Sequence, residues 1–418
     1  MRLATGLLAA LVASSPFVLG GSVGCGADGS GGIIDAGVVS FGEGSSSNET
    51  DGNHHGSSST SSRDSGGAAS GGSPDGGGSG TGSTHPGHGQ NVWLHAKGSS
   101  LVDAQGNTVR LFGVNRSGTE YACVQGFGIF DGPSDAASVA AIKSWNANAV
   151  RVPLNEDCWL GINGVQSAYS GSAYQSAIVA YVMLLLENGI YPIVDLHWTA
   201  PGSQLATGQE PMPDADHSVA FWTSVASTFK GDANVVLELF NEPWPDNNQD
   251  TDEAWTCWLN GGTCSSVPYT VAGMQSLVSA VRQTGAGNLL LLGGVDYSNG
   301  LSHWVANKPN DPLNNLAAAW HVYPENPCVT SSCWDANAGA VVQSYPIVAT
   351  EVGDSDCDAT FPTSVMSWLD GHGQNYLAWT WDTFGTSCSN YSLVSDYDGT
   401  PNGAYGMAFQ SHFQSVNP

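Results

Sequence analysis

The chain has 418 residues, of which only 11% are charged, and its formal net charge is −27. So acidic a chain is repelled by nucleic acid and anionic membranes, which leaves neutral ligands as the expected partners. The length accommodates one large domain with attachments, and we expect a monomer.

The N-terminus predicts export. In residues 1–25 a single Arg precedes a short apolar run that Ser and Pro interrupt, and small residues follow. We interpret this segment as a signal peptide, since it is too short and broken to span a bilayer. Cys25, in the degraded lipid-attachment box "SVGC", leaves two outcomes open. Either it carries a lipid that tethers the exported protein to the cell surface, or cleavage near it discards it or leaves a free thiol.

A low-complexity segment rich in Gly and Ser follows at residues 26–91. It has almost nothing to bury, so we expect a disordered linker ahead of a catalytic domain at 92–418. The chain contains nine cysteines. Without Cys25 the number is even, which fits four disulfides formed in an oxidising compartment.

From residue 92 onward, short apolar runs alternate with amphipathic helical patterns, which is typical of repeated βα units. Near-continuous apolar strands indicate a parallel sheet covered on both faces. Eight such units predict an α/β fold, the (β/α)8 TIM barrel. The predicted strands are 109–115, 149–155, 191–197, 235–242, 289–295, 316–323, 346–353 and 376–383.

Local signals support this arrangement. Two long helical patterns end at glycines, Gly189 and Gly285, as helices commonly do. Before the first barrel strand, residues 99–111 predict a hairpin with its turn at 105–107. We expect this hairpin to close the bottom of the barrel.

Polar and aromatic residues stand near the carboxyl ends of the predicted strands, where barrels of this type carry their chemistry. A structural core does not require so many polar side chains at one end of the barrel. They are Arg151, Asp195, His197, Asn241, Glu242, His321, Tyr323, Glu351, Trp381 and Asp382.

Glu242 and Glu351 end strands that lie across the barrel mouth from each other. Two carboxyls facing one cavity can cleave a glycosidic bond, because one donates a proton to the leaving oxygen and the other attacks the anomeric carbon. A rival interpretation is a metal site built from Asp195, His197 and His321. It is weaker, since the first strand has no His-x-His pattern and no second acidic ligand cluster accompanies it. We therefore expect neither a metal nor another cofactor.

These segments resemble glycoside hydrolase family 5, the retaining cellulase-like barrels. The resemblance covers roughly residues 92–413. It rests on the ordered set "RVPL", "IVDLH", "LFNEP", "HVY", "ATEVG" and "WTWD". The tripeptide "NEP" alone would be a weak signal, whereas the set at matching barrel positions is specific.

The resemblance implies that Glu242 is the general acid/base and Glu351 the nucleophile of a double displacement, with the carboxyls about 5–5.5 Å apart. It implies further residues that bind the sugar or orient the carboxyls. These are Arg151 to keep the nucleophile ionised, Asn241 for the sugar 2-hydroxyl, Tyr323 to orient the nucleophile, His197 and His321 to hold sugar and carboxyls, and Trp381 as the aromatic floor. For Asp195, a structural partnership with Arg is favoured over a catalytic role.

Long cysteine-bearing loops follow several strands. By sequence and barrel neighbourhood, the expected bridges are Cys123–Cys158, Cys257–Cys264, Cys328–Cys333 and Cys357–Cys388, although other pairings stay open. Four loop tryptophans are either sugar platforms or loop anchors, namely Trp159, Trp198, Trp244 and Trp255.

The expected function is an exported, endo-acting β-1,4-glucanase that acts on a polysaccharide or oligosaccharide. A β-mannanase or a β-1,3-glucanase stays open, because the catalytic set does not encode the sugar. An inactive surface carbohydrate-binding protein is an alternative of another class. It would be expected to lack a catalytic Glu, and both are present.

Overall fold

The computed structural model of the chain describes residues 93–384 and 391–417. The predictions for the signal segment 1–25, for the linker 26–91, for Cys25 and for Cys388 fall outside these residues. In the described ranges, no helix is both long and apolar enough to cross a membrane.

Eight parallel strands close into a barrel in which each strand pairs with the next one along the barrel sequence, and the last, β13, pairs with the first, β4. This confirms the predicted α/β barrel. Two small antiparallel sheets, β1-β2-β3 and β8-β9, lie outside it. The strands are β1 (His95–Lys97), β2 (Ser100–Val102), β3 (Thr108–Val109), β4 (Phe112–Asn115), β5 (Ala149–Asn155), β6 (Tyr191–Trp198), β7 (Val236–Glu238), β8 (Gly261–Thr263), β9 (Thr270–Ala272), β10 (Leu290–Gly293), β11 (Leu316–Val322), β12 (Ile347–Val352) and β13 (Asn375–Ala378).

Helices connect successive barrel strands and cover the barrel from outside. Glycines in the left-handed region follow α4 and α8 as predicted, with φ of 74° at Gly189 and 85° at Gly285. The helices are α1 (Ala122–Gln125), α2 (Ala136–Lys143), α3 (Glu156–Leu160), α4 (Ser172–Glu187), α5 (Ser218–Phe229), α6 (Pro245–Asn248), α7 (Asp252–Asn260), α8 (Met274–Gln283), α9 (Trp304–Asn307), α10 (Ser331–Val342), α11 (Thr360–Gly371) and α12 (Gly403–Val416).

The barrel interior has two layers, because alternate residues of each strand point inward. The lower layer is apolar and fully buried, and consists of Ala149, Ile193, Val236, Leu289, Leu291, Ala317, Ala319, Val348 and Leu377. Two residues further along their strands, the same faces carry a buried polar layer. This upper layer consists of Asn115, Arg151, Asp195, Glu238, His321 and Thr350.

The bottom of the barrel is closed by the sheet β1-β2-β3. Leu94, just before β1, and Leu101, on β2, are buried in one cluster with the lower layer. The predicted hairpin is the antiparallel pair β2-β3, with its turn around Gly106 at a φ of 83°. The predicted closing role of this segment is therefore confirmed.

Disulfides pin loops at the carboxyl end of the barrel. Three predicted bridges are present, Cys123–Cys158, Cys257–Cys264 and Cys328–Cys333. The first joins α1 to α3, so it ties the segment after β4 to the segment after β5. Cys357 is also disulfide-bonded. Because Cys388 lies outside the described residues, the fourth pairing stays a prediction.

Candidate active site

The centre of the site is Arg151, a fully buried guanidinium in the upper layer on β5. Its Nε lies 2.6 Å from Glu238 Oε2, and its Nη1 lies 2.6 Å from Glu351 Oε1. Its Nη2 lies 3.0 Å from Asp195 Oδ2 and 2.7 Å from Asn241 Oδ1. The fixed fork of N–H donors lets one guanidinium hold several acceptors at once. Arg151 therefore orients groups from β6, β7 and β12, and Asp195 is its structural partner.

Glu351, on β12, accepts hydrogen bonds on both carboxyl oxygens. Arg151 donates to Oε1, and the Tyr323 hydroxyl donates to Oε2 at 2.5 Å. Burial raises the pKa of Glu351, while the Arg151 guanidinium acts in the opposite direction. Donors on both oxygens favour a carboxylate, which is the form that a nucleophile needs.

Glu242 lies just beyond the end of β7 in a different environment. Its Oε1 lies 2.7 Å from His321 Nδ1, and its Oε2 accepts a hydrogen bond of 2.8 Å from Gln209 Nε2. Burial raises the pKa of Glu242 to about 7. A buried carboxyl without a guanidinium among its hydrogen-bond partners holds its proton near neutral pH, which suits a proton donor.

The two carboxyls are close together. One oxygen of Glu242 and one of Glu351 lie within 4.8 Å of each other. His321 Nδ1 lies 2.7 Å from Glu242 Oε1 and 3.5 Å from Glu351 Oε2. Retaining glycosidases hold their carboxyl groups at roughly 5–5.5 Å, whereas inverting ones need roughly 6.5–9.5 Å for a water molecule. The short separation favours attack by one carboxyl itself.

Asn241 and His197 lie beside this pair. Asn241 is 1% exposed, and its Nδ2 has no hydrogen-bond partner in the described structure, so this donor is available to a ligand hydroxyl. His197 Nδ1 lies 2.9 Å from Asp195 Oδ2, an acid that Arg151 also holds. The position of Asn241 fits the predicted contact with a sugar, while His197 is fixed by a buried acid.

The structure corrects the prediction for Trp381. Its ring is fully buried in the outer core and packs edge-to-face on Trp145, with the ring centroids 4.9 Å apart, so it cannot form a sugar floor. The ring that reaches the site is Trp379, which stacks parallel to His197 at an interplanar angle of 4°. The strand β13 already ends at Ala378, so its alternation does not extend to residue 381. Asp382 accepts from Tyr397 and Ser117, away from the carboxyl pair.

Of the four loop tryptophans, Trp159, Trp198 and Trp255 are at most 1% exposed. They are loop anchors, because their rings are packed inside the protein. Trp244 is half-buried and stacks on Tyr297, with ring centroids 5.7 Å apart. It lies two residues after Glu242 and is the one of the four that offers an aromatic face near the site.

Sequence reasoning missed several residues of the site. Glu238 lies in the middle of the predicted strand 235–242 and binds Arg151. It follows the inward-facing Val236 by two residues, and this spacing indicates that its side chain also points into the barrel. Asn115 donates to two backbone carbonyls and accepts from Arg151. Gln209 lies in the long loop after β6 and has no pattern in the sequence that identifies it.

The rival metal site is not assembled. Asp195 binds Arg151 and His197, whereas His321 contacts Glu242 on the other side of the upper layer. In the described part of the chain, the acids and imidazoles that come close enough to share a cation are Glu242, His321 and Glu351. Each of these three already has hydrogen-bond partners that account for its position.

A family model described as cellulase, glycosyl hydrolase family 5, matches residues 102–385. A cellulase from Thermoanaerobacterium sp is 22% identical over 295 residues, which are 67% of this chain and 66% of that protein. A mannan endo-1,4-beta-mannosidase from Salipaludibacillus agaradhaerens is 22% identical over 73% of this chain and 87% of its own length. The chain spans less than two thirds of the length of the first curated relatives that it matches.

Solved structures share the fold. A beta-glucanase from Saccharophagus degradans in complex with cellotetraose superposes with a TM-score of 0.61 at 20% identity. The superposition covers 79% of this chain and 95% of that one. The agreement therefore extends over nearly the whole of that chain.

Proposed function

Because the chain belongs to glycosyl hydrolase family 5, we propose that it is a retaining endo-β-1,4-glucanase. The observation that carries this proposal is the contrast between two neighbouring carboxyls. Glu351 is bound by Arg151 and Tyr323, while Glu242 is bound by His321 and Gln209. Two carboxyls with different environments at short range are what a double displacement requires.

In the proposed mechanism, Glu351 attacks the anomeric carbon as the bond to the leaving oxygen breaks. Glu242 donates its proton to that oxygen, and a glycosyl ester forms on Glu351. Glu242, now ionised, takes a proton from water, and the resulting hydroxide attacks the anomeric carbon and releases Glu351. Two inversions give overall retention. The unpartnered Nδ2 of Asn241 supports a proposed hydrogen bond to the sugar 2-hydroxyl, and the stacking of Trp379 on His197 supports a proposed contact of its ring with the sugar.

The test is a substrate panel with product analysis. Purified full chain is incubated with a soluble cellulose derivative, mannan, xylan and laminarin, and the anomeric configuration of the first products is followed by NMR. We expect cleavage of the cellulose derivative with initial β products. Initial α products, or no hydrolysis of any β-glycan, would overturn the proposal.

A second candidate activity is β-mannan hydrolysis. A relative named as a mannan endo-1,4-beta-mannosidase matches 73% of this chain, and the carboxyl pair serves either sugar. A higher kcat/KM on mannan than on the cellulose derivative would replace the first candidate with the second. Preference for laminarin would instead indicate a β-1,3-glucanase.

The same assay separates the remaining alternatives. A metal-dependent hydrolase would lose activity after dialysis against EDTA and regain it with a divalent cation, whereas the proposed mechanism is indifferent to chelation. A carbohydrate-binding protein without activity would bind the glycan and release no reducing ends.

We also propose that the chain is exported, either freely or with a lipid on Cys25, and that residues 26–91 are a linker ahead of the barrel. The signal-like residues 1–25 and the position of Cys25 support this. Mass spectrometry of the mature N-terminus tests it. A diacylglycerol-modified Cys25 would indicate a lipid anchor, an unmodified terminus after cleavage would indicate free secretion, and an intact Met1 would exclude export by this route.

A further inference from the structure

A line of four polar side chains runs from the candidate acid/base into the barrel. Glu242 Oε1 lies 2.7 Å from His321 Nδ1, and His321 Nε2 lies 3.1 Å from Thr350 Oγ1. Thr350 Oγ1 lies 2.8 Å from Glu238 Oε1. His321, Thr350 and Glu238 are 0% exposed, so water does not compete for these contacts.

The contacts of Glu238, at the inner end of this line, determine which atom donates in each of these hydrogen bonds. Glu238 Oε2 faces Arg151 Nε at 2.6 Å, and Oε1 faces the Thr350 hydroxyl. A carboxyl whose two oxygens both face donors accepts on both. The single hydrogen of Thr350 Oγ1 is therefore directed to Glu238. As a result, the same oxygen must accept from His321 Nε2.

This fixes the tautomer of His321. Burial lowers the pKa of His321 to about 4, so the imidazole is neutral at ordinary pH. A neutral ring with its hydrogen on Nε2 has a lone pair on Nδ1. The nearer carboxyl oxygen to Nδ1 is Glu242 Oε1 at 2.7 Å, while Glu351 Oε2, which already accepts from Tyr323, lies 3.5 Å away. The carboxyl of Glu242 must then supply the hydrogen.

The contact of the other carboxyl oxygen of Glu242, Oε2, is a second reason to place the acid proton on Oε1. Gln209 Nε2 donates to Glu242 Oε2 at 2.8 Å. An amide nitrogen only donates, so Oε2 acts as the acceptor. The acid proton of Glu242 is again left for Oε1, on the side of His321.

We propose that Glu238 and Thr350 are positioning residues that set the tautomer of His321 and thereby hold the acid proton of Glu242 on Oε1 in the substrate-free protein. The proposal deepens the proposed function, since it rests on Glu242 as the acid/base. An ionised Glu242 would face the lone pair of Nδ1, so the line of hydrogen bonds favours the protonated acid. Glu238 has no contact with the carboxyl whose proton it controls.

Other groups act on Glu242 as well. The titratable or charged side chains that interact with it or with its partner carboxyl come from β5, β6, β11, β12 and neighbouring loops. They are Arg151, Asp195, His197, Tyr297, His321, Tyr323, Glu351 and Tyr391. Substitution of Thr350 leaves all of these in place and removes only the hydroxyl that links His321 to Glu238.

The experiment compares Thr350→Val with Thr350→Ser. Valine keeps the shape and removes the hydroxyl, whereas serine keeps the hydroxyl. The ¹⁵N NMR signals of the His321 ring report which nitrogen carries the hydrogen. We expect Nε2–H in the wild type and in Thr350→Ser, and Nδ1–H, now donated to Glu242, in Thr350→Val. Nδ1–H in the wild type would overturn the proposal.

The pH dependence of kcat/KM is the second measurement. In Thr350→Val the donated Nδ1–H stabilises ionised Glu242. We therefore expect the alkaline limb of the kcat/KM profile to move to a pH about one unit lower, which is a tenfold loss of kcat/KM at alkaline pH. Thr350→Ser should keep the limb of the wild type. A limb that is equal in all three proteins would contradict the proposal, because a merely structural role lowers the rate without shifting the limb.

Two controls keep the outcomes separate. If Thr350→Val does not fold, Glu238→Gln replaces it, since its amide can donate to Thr350 and turn the hydroxyl toward His321. The expected result is again Nδ1–H, and unchanged Nε2–H would overturn the proposal. Because the NMR measurement needs no turnover, an inactive wild type would refute the proposed function without altering the tautomer result.

Discussion

The lower and upper layers of the barrel interior use the same strands with opposite chemistry. On β6, Ile193 lies in the apolar layer and Asp195, two residues later, lies in the polar one. On β7, Val236 and Glu238 repeat the pattern. The lower layer is stabilised by burial alone. In the upper layer, Arg151 binds the buried acids Asp195 and Glu238, and it also binds Glu351 at the barrel mouth. Such an arrangement is costly unless every partner is present.

Strand alternation decides whether a side chain points into the barrel, whereas its position along the strand decides whether it joins the apolar layer or the polar one. The lower layer needs only shape and hydrophobicity. The upper layer needs particular donors and acceptors at particular atoms. Substitutions in the two layers should therefore differ in kind as well as in size.

The largest expected effect lies at the mouth of the upper layer. Glu351→Gln removes the proposed nucleophile and keeps its shape. We expect kcat to fall by roughly 10⁴-fold, the upper end of what one positioned group contributes. Steady-state kinetics on the cellulose derivative measures this. Turnover at the wild-type rate would show that the chemistry does not depend on Glu351.

Glu242→Ala should have a smaller effect that depends on the substrate. Loss of the proton donor lowers the rate by about 10²–10⁴-fold on a glycan, whose leaving group needs the proton. Aryl glycosides with acidic phenol leaving groups should lose far less in the glycosylation step. Equal losses on both substrates would argue against Glu242 as the acid.

A matched pair separates the two layers directly. Arg151→Met leaves Asp195, Glu238 and Glu351 as uncompensated acids, so we expect about 3–5 kcal/mol less free energy of unfolding together with loss of activity. Leu291→Ala opens a cavity in the lower layer and should lower the free energy of unfolding by about 2–5 kcal/mol. Denaturant unfolding and kinetics on the folded fraction measure both. If the folded Leu291→Ala protein lost activity as Arg151→Met does, the functional division between the layers would be wrong.

The smallest effect concerns pH. The pKa of Glu242 is raised by burial from 4.5 to about 7, so the folded state binds more protons than the unfolded state between these values. The free energy of unfolding therefore falls as the pH rises through this window, by about 3 kcal/mol at most for this group. Glu242→Gln lacks this dependence. Unfolding of both proteins at pH 5 and pH 8 measures the difference, and parallel pH profiles would contradict the raised pKa.

The strands and the proximity of the two candidate carboxyls were predictable, because both follow from strong local patterns. The strand 149–155 matches β5 at both ends, and the acids that end two predicted strands meet across the mouth as expected. The predicted strand 235–242 shortens to Val236–Glu238, although the backbone N–H groups of Leu239 and Asn241 still donate to the neighbouring strands. Ends of strands are set by tertiary contacts that a single sequence does not display.

The missed residues were missed for different physical reasons. Glu238 lies below the strand ends, and alternation from Val236 would have identified it. Trp379 and Trp381 have the same spacing parity, and only the actual end of β13 decides which ring packs on His197 in the candidate site. Gln209 reaches Glu242 from a loop whose path depends on contacts far apart in the sequence. No periodic pattern predicts such a contact.

The sheet β1-β2-β3 at the bottom of the barrel has a practical consequence for immobilisation. Leu94 packs beneath the lower layer, so the described chain starts on the side of the barrel opposite the carboxyl pair. Protein coupled to a bead or an electrode through residues ahead of this sheet would present its open mouth to the solution. Coupling chemistry directed at the loops after the strands would instead press the mouth against the support.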